Sequence, residues 1–180
     1  INDDGEINGD DRTNIGNSFP RTTLGLNLNV AYRGFDLSML WNGSYGYKIY
    51  NAKLTQRFDT YNFETSYLDR WNGEGTSNSE PRITNGGINY NVSERFLEDG
   101  DFTRLRNLQI GYTFPGTLTE RWGMDQLRVY LNGTNLLTIT DYSGYTPEIN
   151  PNSNNVFDVN IDRGVYPISR VYTVGLDVSF

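Results

Sequence analysis

The last twelve residues of the chain, 169–180, alternate between apolar and polar side chains. Every second position from Tyr172 to Phe180 is apolar, and the positions between them carry Thr, Gly, Asp and Ser. Successive side chains of a β-strand point to opposite faces of the sheet, so this period of two predicts a strand between two different environments. Strands of soluble sandwiches and strands of membrane barrels share this pattern. The segment therefore predicts a strand and leaves the kind of sheet open.

Four earlier segments repeat this alternation. We predict strands at 23–32, 35–47, 102–114 and 127–137, and a tight turn at Arg33-Gly34 makes a hairpin of the first two. Both apolar rows of the hairpin are as long as the roughly 9–11 residues with which a barrel strand crosses a bilayer. A sandwich strand is usually nearer 5–6 residues. The strand lengths favour a barrel.

The connections between the predicted strands alternate between short and long. The turn at 33–34 and the connection at 115–125 are short, whereas the loops at 48–101 and 138–168 are long. Structureless connections of this length are uncommon in compact soluble domains, but outer-membrane barrels have long extracellular loops and short periplasmic turns. We therefore expect Phe180 at the periplasmic edge and both long loops outside the cell. Within 48–101, the spacing of Leu54, Phe58 and Tyr61 predicts one short helix.

Composition excludes several classes of protein. The mean hydropathy is −0.60 and no apolar run is long enough for a membrane helix. The 13 Tyr, 9 Phe, 3 Trp and 19 Gly favour strands, turns and aromatic membrane-interface residues, so we predict an all-β fold. The chain has no Cys and no His, which excludes the enzymes and metal sites that depend on a thiolate or an imidazole. A net charge of −7 argues against a nucleic-acid partner. Its best acidic cluster, within 94–101, lies in one loop rather than on opposed strands, so we predict no enzyme.

The first nineteen residues, 1–19, form a polar, Asp-rich segment that we assign to an extracellular loop. Four of its residues match positions 3, 5, 7 and 12 of a calcium-binding loop, namely Asn2, Asp4, Glu6 through its carbonyl, and Asp11. The Asp of position 1 would precede Ile1, and we expect that this chain is a piece of a longer protein. A solvated Asp/Asn turn explains the same residues. The sequence leaves calcium and the solvated turn as alternatives.

The segment 99–115, Asp-Gly-Asp-Phe-Thr-Arg-Leu-Arg-Asn-Leu-Gln-Ile-Gly-Tyr-Thr-Phe-Pro, resembles the penultimate hairpin of SusC/RagA-type TonB-dependent outer-membrane transporters of Bacteroidetes. Segments 15–36, 128–137, 144–148 and 166–180 resemble the same family. The similarity extends over essentially the whole chain and corresponds to the carboxyl-terminal end of a much longer protein.

This resemblance implies the last five strands of an antiparallel transmembrane barrel of about 22 strands, with residues 1–19 outside and 20–180 supplying the strands and their loops. Five strands cannot close a barrel, so other strands must complete it. The family imports glycan or peptide fragments beneath a SusD-type surface lipoprotein, and TonB supplies energy from the periplasm. The resemblance thus implies a multi-pass outer-membrane protein whose partners are the remaining barrel and plug, the lipoprotein, the TonB complex, the lipid bilayer and the oligosaccharide or peptide ligand. It also implies a role for Phe180 in membrane assembly.

Several side chains receive specific expectations. We expect Asn27, Asn29, Gln109 and Asn132 to line the barrel lumen against the plug. The loop aromatics are expected to pack within the loops or to stack on sugar rings, and they are Tyr61, Trp71, Tyr142 and Tyr145. Arg104 and Arg106 are compatible with an anion site, but the simpler expectation is a position at the outer membrane rim, against lipid headgroups or loop carboxylates.

A soluble calcium-dependent β-sandwich with a binding or adhesion role is the alternative. The Asp-rich start and the alternating strands also fit such a domain.

Overall fold

The structure is a computed structural model that describes residues 3–6, 8–55, 65–84, 86–149 and 158–180. Its strands are β1 (Thr22–Tyr32), β2 (Phe35–Tyr45), β3 (Lys48–Asn51), β4 (Leu97–Asp99), β5 (Phe102–Thr113), β6 (Gln126–Thr140), β7 (Ile161–Asp162) and β8 (Val171–Ser179). The structure also has one α-helical turn, α1 (Gly116–Thr119). Short 3-10 helices lie at Gly9–Asp11, Ala52–Thr55, Thr65–Asp69, Ile88–Tyr90, Glu94–Phe96 and Glu120–Trp122. In the described part of the chain, no helix is both long enough and apolar enough to cross a membrane. The predicted all-β class is confirmed.

The main sheet has five strands in the order β1-β2-β5-β6-β8, and every neighbouring pair is antiparallel. These are the five strands that the alternation predicts. The predicted hairpin turn is present, with Arg33 at φ 47° and Gly34 at φ 85°. Two consecutive positive φ angles characterise a type I′ turn, whose twist suits two-residue hairpins. The sheet is open in this chain, with β1 and β8 at its edges.

A β-bulge in β5 keeps one face of the sheet apolar. The register between β2 and β5 shifts at Leu40/Trp41, so Arg106 has no partner position in β2. Leu105 lies opposite Trp41 and Leu108 opposite Met39, which places both leucines on the same face although their positions differ by three. Without the extra residue, the strict alternation of the pleat would put one of the two on the polar face.

The loops at 48–101 and 138–168 contain strands that the sequence pattern does not predict. β3 pairs with β4 in an antiparallel arrangement and with β7 in a parallel one, which gives a second sheet in the order β4-β3-β7. These strands have four, three and two residues, too few for alternation to be recognisable. The prediction of a structureless loop is wrong for these segments. The predicted helix lies largely outside the described residues, and Leu54 belongs to a 3-10 helix.

A small core holds the second sheet on the end of the first. Its buried members are Tyr47, Ile49, Phe102, Tyr142 and Ile149. They come from the turn between β2 and β3, from β3, from the start of β5 and from the loop after β6. The core therefore ties both long loops to the five-stranded sheet, which we call the wall. We call the second sheet, this core and the loop segments packed around them the loop domain.

Candidate functional site

One face of the five-stranded sheet carries an apolar row on every strand. The register pairs Leu26 with Trp41 on β1 and β2, and places Leu131 beside Val174 on β6 and β8. Leu26, Leu131 and Val174 are exposed, and Val174 reaches 72%. Among the described residues, nothing covers this face, whereas the two sheets of a sandwich bury their apolar faces against each other. The sandwich interpretation therefore finds no support in the sheet.

Aromatic side chains gather at the Arg33-Gly34 end of the same face. The rings of Phe35 and Tyr112 are 4.5 Å apart, and those of Tyr112 and Phe114 are 5.0 Å apart. The guanidinium of Arg33 lies 5.2 Å from the Tyr32 ring centroid. Aromatic and cationic residues at the edge of an apolar band are typical of a membrane interface.

Phe180 follows β8 at this end of the sheet. Its side chain is 86% exposed, and the backbone N–H of Asp125 donates to the carbonyl of Ser179 at 2.8 Å. The pairing of β6 with β8 thus runs to the last residue before Phe180. The free edge of β8 lies on the other side, where no strand in the described part of this chain pairs with it.

The opposite face of the sheet is polar. Asn27, Asn29, Gln109 and Asn132 lie on it, since Asn27 pairs with Leu40 and Gln109 pairs with Ser38 and Asn132. The amide of Asn29 donates to the Oδ1 of Asn27 at 3.3 Å. This arrangement agrees with the expected lumen face.

An ion triad crosses the polar face near the hairpin turn. Arg128 on β6 donates to Asp36 on β2 at 2.7 and 3.0 Å, and to Asp177 on β8 at 2.8 Å. Its guanidinium passes over Gly111 of the intervening strand β5, where an added Cβ would lie 2.4 Å from Asp36 Oδ1 and 2.6 Å from Arg128 Nη2. Glycine at this position lets one arginine cross β5 and link β2, β6 and β8.

A second ion cluster lies where the sheet meets the loop domain. Arg104 is 2% exposed, and it donates to Thr138 Oγ1 at 2.8 Å, to Thr146 Oγ1 at 3.2 Å and to the Glu148 carboxylate. Arg106 donates to the other Glu148 oxygen. The expected contact with a loop carboxylate is confirmed for both arginines, but Arg104 is buried and so does not meet lipid headgroups. The cluster fixes the loop after β6 on the wall.

Asp162 organises the interior of the loop domain. Its Oδ1 accepts from the backbone N–H groups of Gly164 at 2.8 Å and Val165 at 2.9 Å, and its Oδ2 accepts from the Tyr142 hydroxyl. Lys53 Nζ lies 3.8 Å from Oδ2. Burial alone raises the pKa of this carboxyl, but the three hydrogen bonds and the lysine outweigh burial, so the pKa lies below its usual value.

Glu98, Asp99 and Asp101 stabilise the same domain. Glu98 accepts from Asn51 Nδ2 at 2.7 Å and from Ser143 N and Oγ at 2.8 Å each. The backbone N–H of Asp101, together with Lys48 at 3.3 Å, holds the pKa of Asp99 below its usual value. Within the acidic cluster, the Glu98 and Asp99 carboxylates are therefore hydrogen-bonded in the fold.

The loop aromatics take different roles. Tyr142 is buried in the core, which confirms the packing expectation for that residue. Tyr145 is exposed, and Lys53 Nζ lies 5.3 Å from its ring centroid. Trp71 lines a surface groove. Tyr61 lies outside the described residues.

The structure leaves the calcium prediction untested. The backbone N–H of Glu6 donates to Asp4 Oδ1 at 2.8 Å, and the Asp11 carboxylate accepts from Asn8 N at 2.9 Å in a capping box. Asn2 lies outside the described residues. Among the residues that are described, no three Asp or Glu side chains form a cluster suited to a metal ion. The carbonyl ligand assigned to Glu6 and the position before Ile1 remain predictions.

The sequence does not predict Arg128, Glu148 and Asp162 as key residues. The carboxylate partners of Arg128 lie 49 and 92 positions away on other strands, and Tyr142 lies 20 positions from Asp162. One signal is nevertheless present, because Arg128 and Asp177 occupy polar positions of two adjacent predicted strands.

The sheet is open and antiparallel, has one apolar and one polar face, is rimmed by aromatics and carries large loops at one end. These features define a segment of a transmembrane β-barrel wall. TonB-dependent receptor P3 of Formosa agariphila is 33% identical to the chain over 185 residues, covering 100% of this chain and 18% of that protein. TonB-dependent receptor SusC of Bacteroides thetaiotaomicron is 26% identical over 159 residues, covering 87% of this chain and 15% of that protein. No model of a known protein family matches the sequence.

Solved structures agree with these relatives. The RagAB peptide importer in its open-open state has a TM-score of 0.71 and 26% identity, covering 89% of this chain and 17% of that one. A structure of the RagAB peptide transporter has a TM-score of 0.72 and 25% identity, covering 91% of this chain and 17% of that one. The chain thus matches a segment of SusC/RagA-type TonB-dependent transporters in sequence and in fold, which confirms the predicted resemblance. It spans less than a fifth of the length of the relatives it matches. These relatives are receptors and transporters rather than enzymes, in agreement with the expectation that the chain is not an enzyme.

Proposed function

We propose that the chain is a barrel-wall segment of an outer-membrane TonB-dependent transporter, which imports glycan or peptide fragments together with a SusD-type lipoprotein. The observation that carries this proposal is the uncovered apolar face, continuous across five strands, on a sheet whose other face is polar. In water such a face and two open strand edges would aggregate, whereas a lipid bilayer and further barrel strands satisfy both.

The polar face supports a plug as partner. Asn27 and Asn29 of β1 lie on this face, and both side chains are exposed. A side-chain amide both donates and accepts hydrogen bonds, so a domain inside the barrel can pair with these two residues.

The orientation of the sheet can be tested with single cysteines. The chain contains no Cys, so Val174→Cys and Thr173→Cys each add one thiol to this segment, on opposite faces of β8. In a transporter without other reactive thiols, a fluorophore attached at position 174 should be quenched by brominated lipid chains, and one attached at position 173 should not. Equal quenching at both positions, or none at position 174, would contradict a lipid-facing apolar row.

The cargo and lipoprotein are tested separately. We expect a surface lipoprotein to co-purify with the transporter from membranes, and labelled peptide or oligosaccharide to enter cells only when TonB is energised. Uptake that persists after collapse of the proton gradient would argue against TonB-dependent import.

The Asp-rich start is tested by calorimetry with a transporter that contains the whole loop. We expect calcium binding that the double substitution Asp4→Asn with Asp11→Asn abolishes. If the parental transporter binds no calcium, the solvated turn is the remaining interpretation.

A further inference from the structure

The loop at 48–101 contains a surface groove that the proposed function leaves without a role. It lies between segments 77–82 and 88–95, Trp71 also lines it, and its volume is about 690 Å³. This value is within the range of roughly 300–1,000 Å³ that small-molecule sites occupy. We refer to it as the Trp71 groove.

The walls of the Trp71 groove are held together by the fold. The backbone N–H of Trp71 donates to the carbonyl of Glu80 at 2.8 Å. Arg95 Nη2 then bridges the two walls by donating to Glu80 Oε2 at 2.7 Å. The turn between Trp71 and the first wall is closed by Thr76, whose Oγ1 accepts from Asn72 N at 2.8 Å and donates to the carbonyl of Gly73 at 2.7 Å. The groove therefore exists before any ligand arrives, which lowers the cost of ordering on binding.

The apolar part of the groove is exposed. Trp71 is 40% exposed, Ile88 66% and Val92 74%, and all three line the groove. An aromatic ring with two branched aliphatic side chains is suited to an apolar side chain of the ligand, which would remove this surface from water.

The polar part of the groove contains three amides beside serine hydroxyls and charged groups. Asn78, Asn89 and Asn91 line it together with Arg82 and the Glu80–Arg95 pair. A side-chain amide both donates and accepts, so it can pair with the N–H and the C=O of an extended main chain. The Glu80–Arg95 ion pair offers one charge of each sign.

From these contacts we propose that the Trp71 groove binds a short peptide, with an aromatic or aliphatic side chain held by Trp71, Ile88 and Val92 and its main chain held by the asparagines. The aliphatic side chains favour peptide over oligosaccharide, because a sugar presents hydroxyl groups that Ile88 and Val92 cannot pair. This inference rests on the proposed function, since cargo reaches the groove only if the loop faces the outside of the cell.

The test uses the full transporter that contains this chain, with its lipoprotein. We would compare Trp71→Ala, Trp71→Phe and the double variant Ile88→Ser with Val92→Ser. The matched control is Leu68→Ser, because Leu68 is 74% exposed in the same loop but does not line the groove. Each protein is incubated with a tryptic digest of casein, and the retained peptides are identified by mass spectrometry.

Trp71→Ala should retain about tenfold less of the peptides with aromatic or aliphatic side chains, as expected for loss of an aromatic anchor. The double variant should lose several-fold, while Trp71→Phe and Leu68→Ser should resemble the parental protein. If Trp71→Ala lowers surface abundance, the double variant decides, because its two side chains are exposed and their replacement leaves the fold intact.

Unchanged peptide retention in the double variant would overturn the inference. So would loss of binding to a maltooligosaccharide mixture with unchanged peptide retention, since that result assigns the groove to sugars. Either outcome leaves the proposed transporter intact, provided that the parental protein takes up cargo and the label at position 174 is quenched by lipid. Absence of both parental properties would instead refute the proposed function itself.

Discussion

The five-stranded wall and the loop domain place their apolar side chains in opposite ways. In the wall, Val174 and its neighbours on one face are exposed, and hydrogen bonds between adjacent strands satisfy the backbone. In the loop domain, Tyr47, Ile49 and Phe102 are buried, and Asp162 and Glu98 satisfy loop backbone and side-chain donors. One region is built for contact with an apolar solvent and the other for contact with water. The predictions below test that difference.

The largest effect is expected from a charge on the apolar face of the wall. Leu108 lies near the middle of the central strand β5, and Gln109 is its neighbour on the polar face. Leu108→Lys should destabilise the transporter in lipid vesicles by about 2–4 kcal/mol, as for a lysine near the bilayer midplane. Gln109→Lys should cost far less. Urea-induced unfolding in vesicles measures both, and equal costs would show that the two faces do not meet different solvents.

Arg104 connects the two regions, so its loss should separate them. Arg104→Ala leaves Glu148 with Arg106 alone and removes the hydrogen bonds to Thr138 and Thr146. We expect a local cost of about 2–3 kcal/mol, below the roughly 3–5 kcal/mol for breaking a fully buried pair, because Arg106 still compensates Glu148. Hydrogen exchange of residues 142–149 should accelerate accordingly. Arg106→Ala, which removes a more exposed partner, should change exchange by less than about 1 kcal/mol.

Acid should loosen the loop domain through Asp162. Because the folded-state pKa of Asp162 is lowered, its stabilisation is fully present above the unfolded value of about 3.9 and is lost as pH falls through the folded value. Asp162→Asn should cost about 1.5–3 kcal/mol near neutral pH and remove most of this acid dependence. Limited proteolysis of the loops across about pH 2–7 measures it, with Asp141→Asn as the control on an exposed carboxylate. Identical pH profiles for Asp162→Asn and the parental protein would contradict this assignment.

The ion triad of the polar face should be sensitive to one methyl group. Gly111→Ala places a Cβ against Asp36 and Arg128, so the pair must shift, at a cost of about 1–3 kcal/mol. Gly25→Ala on the edge strand β1 meets nothing within 4 Å and should be nearly neutral. The difference between the two unfolding midpoints measures the triad. If both substitutions behave alike, Arg128 does not cross the sheet at Gly111.

The two regions also differ in how much of them the sequence predicts. Each wall strand carries its own alternation, so Leu24 to Tyr32 and Tyr172 to Phe180 predict their strands and their faces without knowledge of any partner. The bulge at Arg106 breaks the period by one residue and still leaves both halves of β5 recognisable. The wall could therefore be predicted almost completely.

In contrast, the loop domain depends on contacts between distant segments. β7 has only two residues and pairs with β3 at a separation of more than 100 positions, and no local pattern predicts such a pair. Asp162 looks like any loop aspartate until Tyr142 and the backbone of Gly164 surround it. Trp71 is visible as an aromatic residue, but its groove appears only when segments 77–82 and 88–95 come together.

The smallest effect on folded stability, and the sharpest test of the wall, concerns Phe180. Its ring is 86% exposed beyond the last paired residue of β8, so in the completed barrel it adds only a partial burial at the rim. Deletion should lower the unfolding free energy of inserted transporter by about 1 kcal/mol, less than for full burial of a Phe side chain. The proposed role in membrane assembly predicts a much larger effect on the amount of protein that inserts. The machinery that inserts the barrel would then meet the free edge of β8 without its terminal aromatic residue. Surface abundance measured beside the denaturation midpoint separates the two roles, and Phe180→Tyr should preserve both quantities. If deletion leaves surface abundance unchanged, Phe180 has no part in assembly, and the terminal strand serves the wall alone.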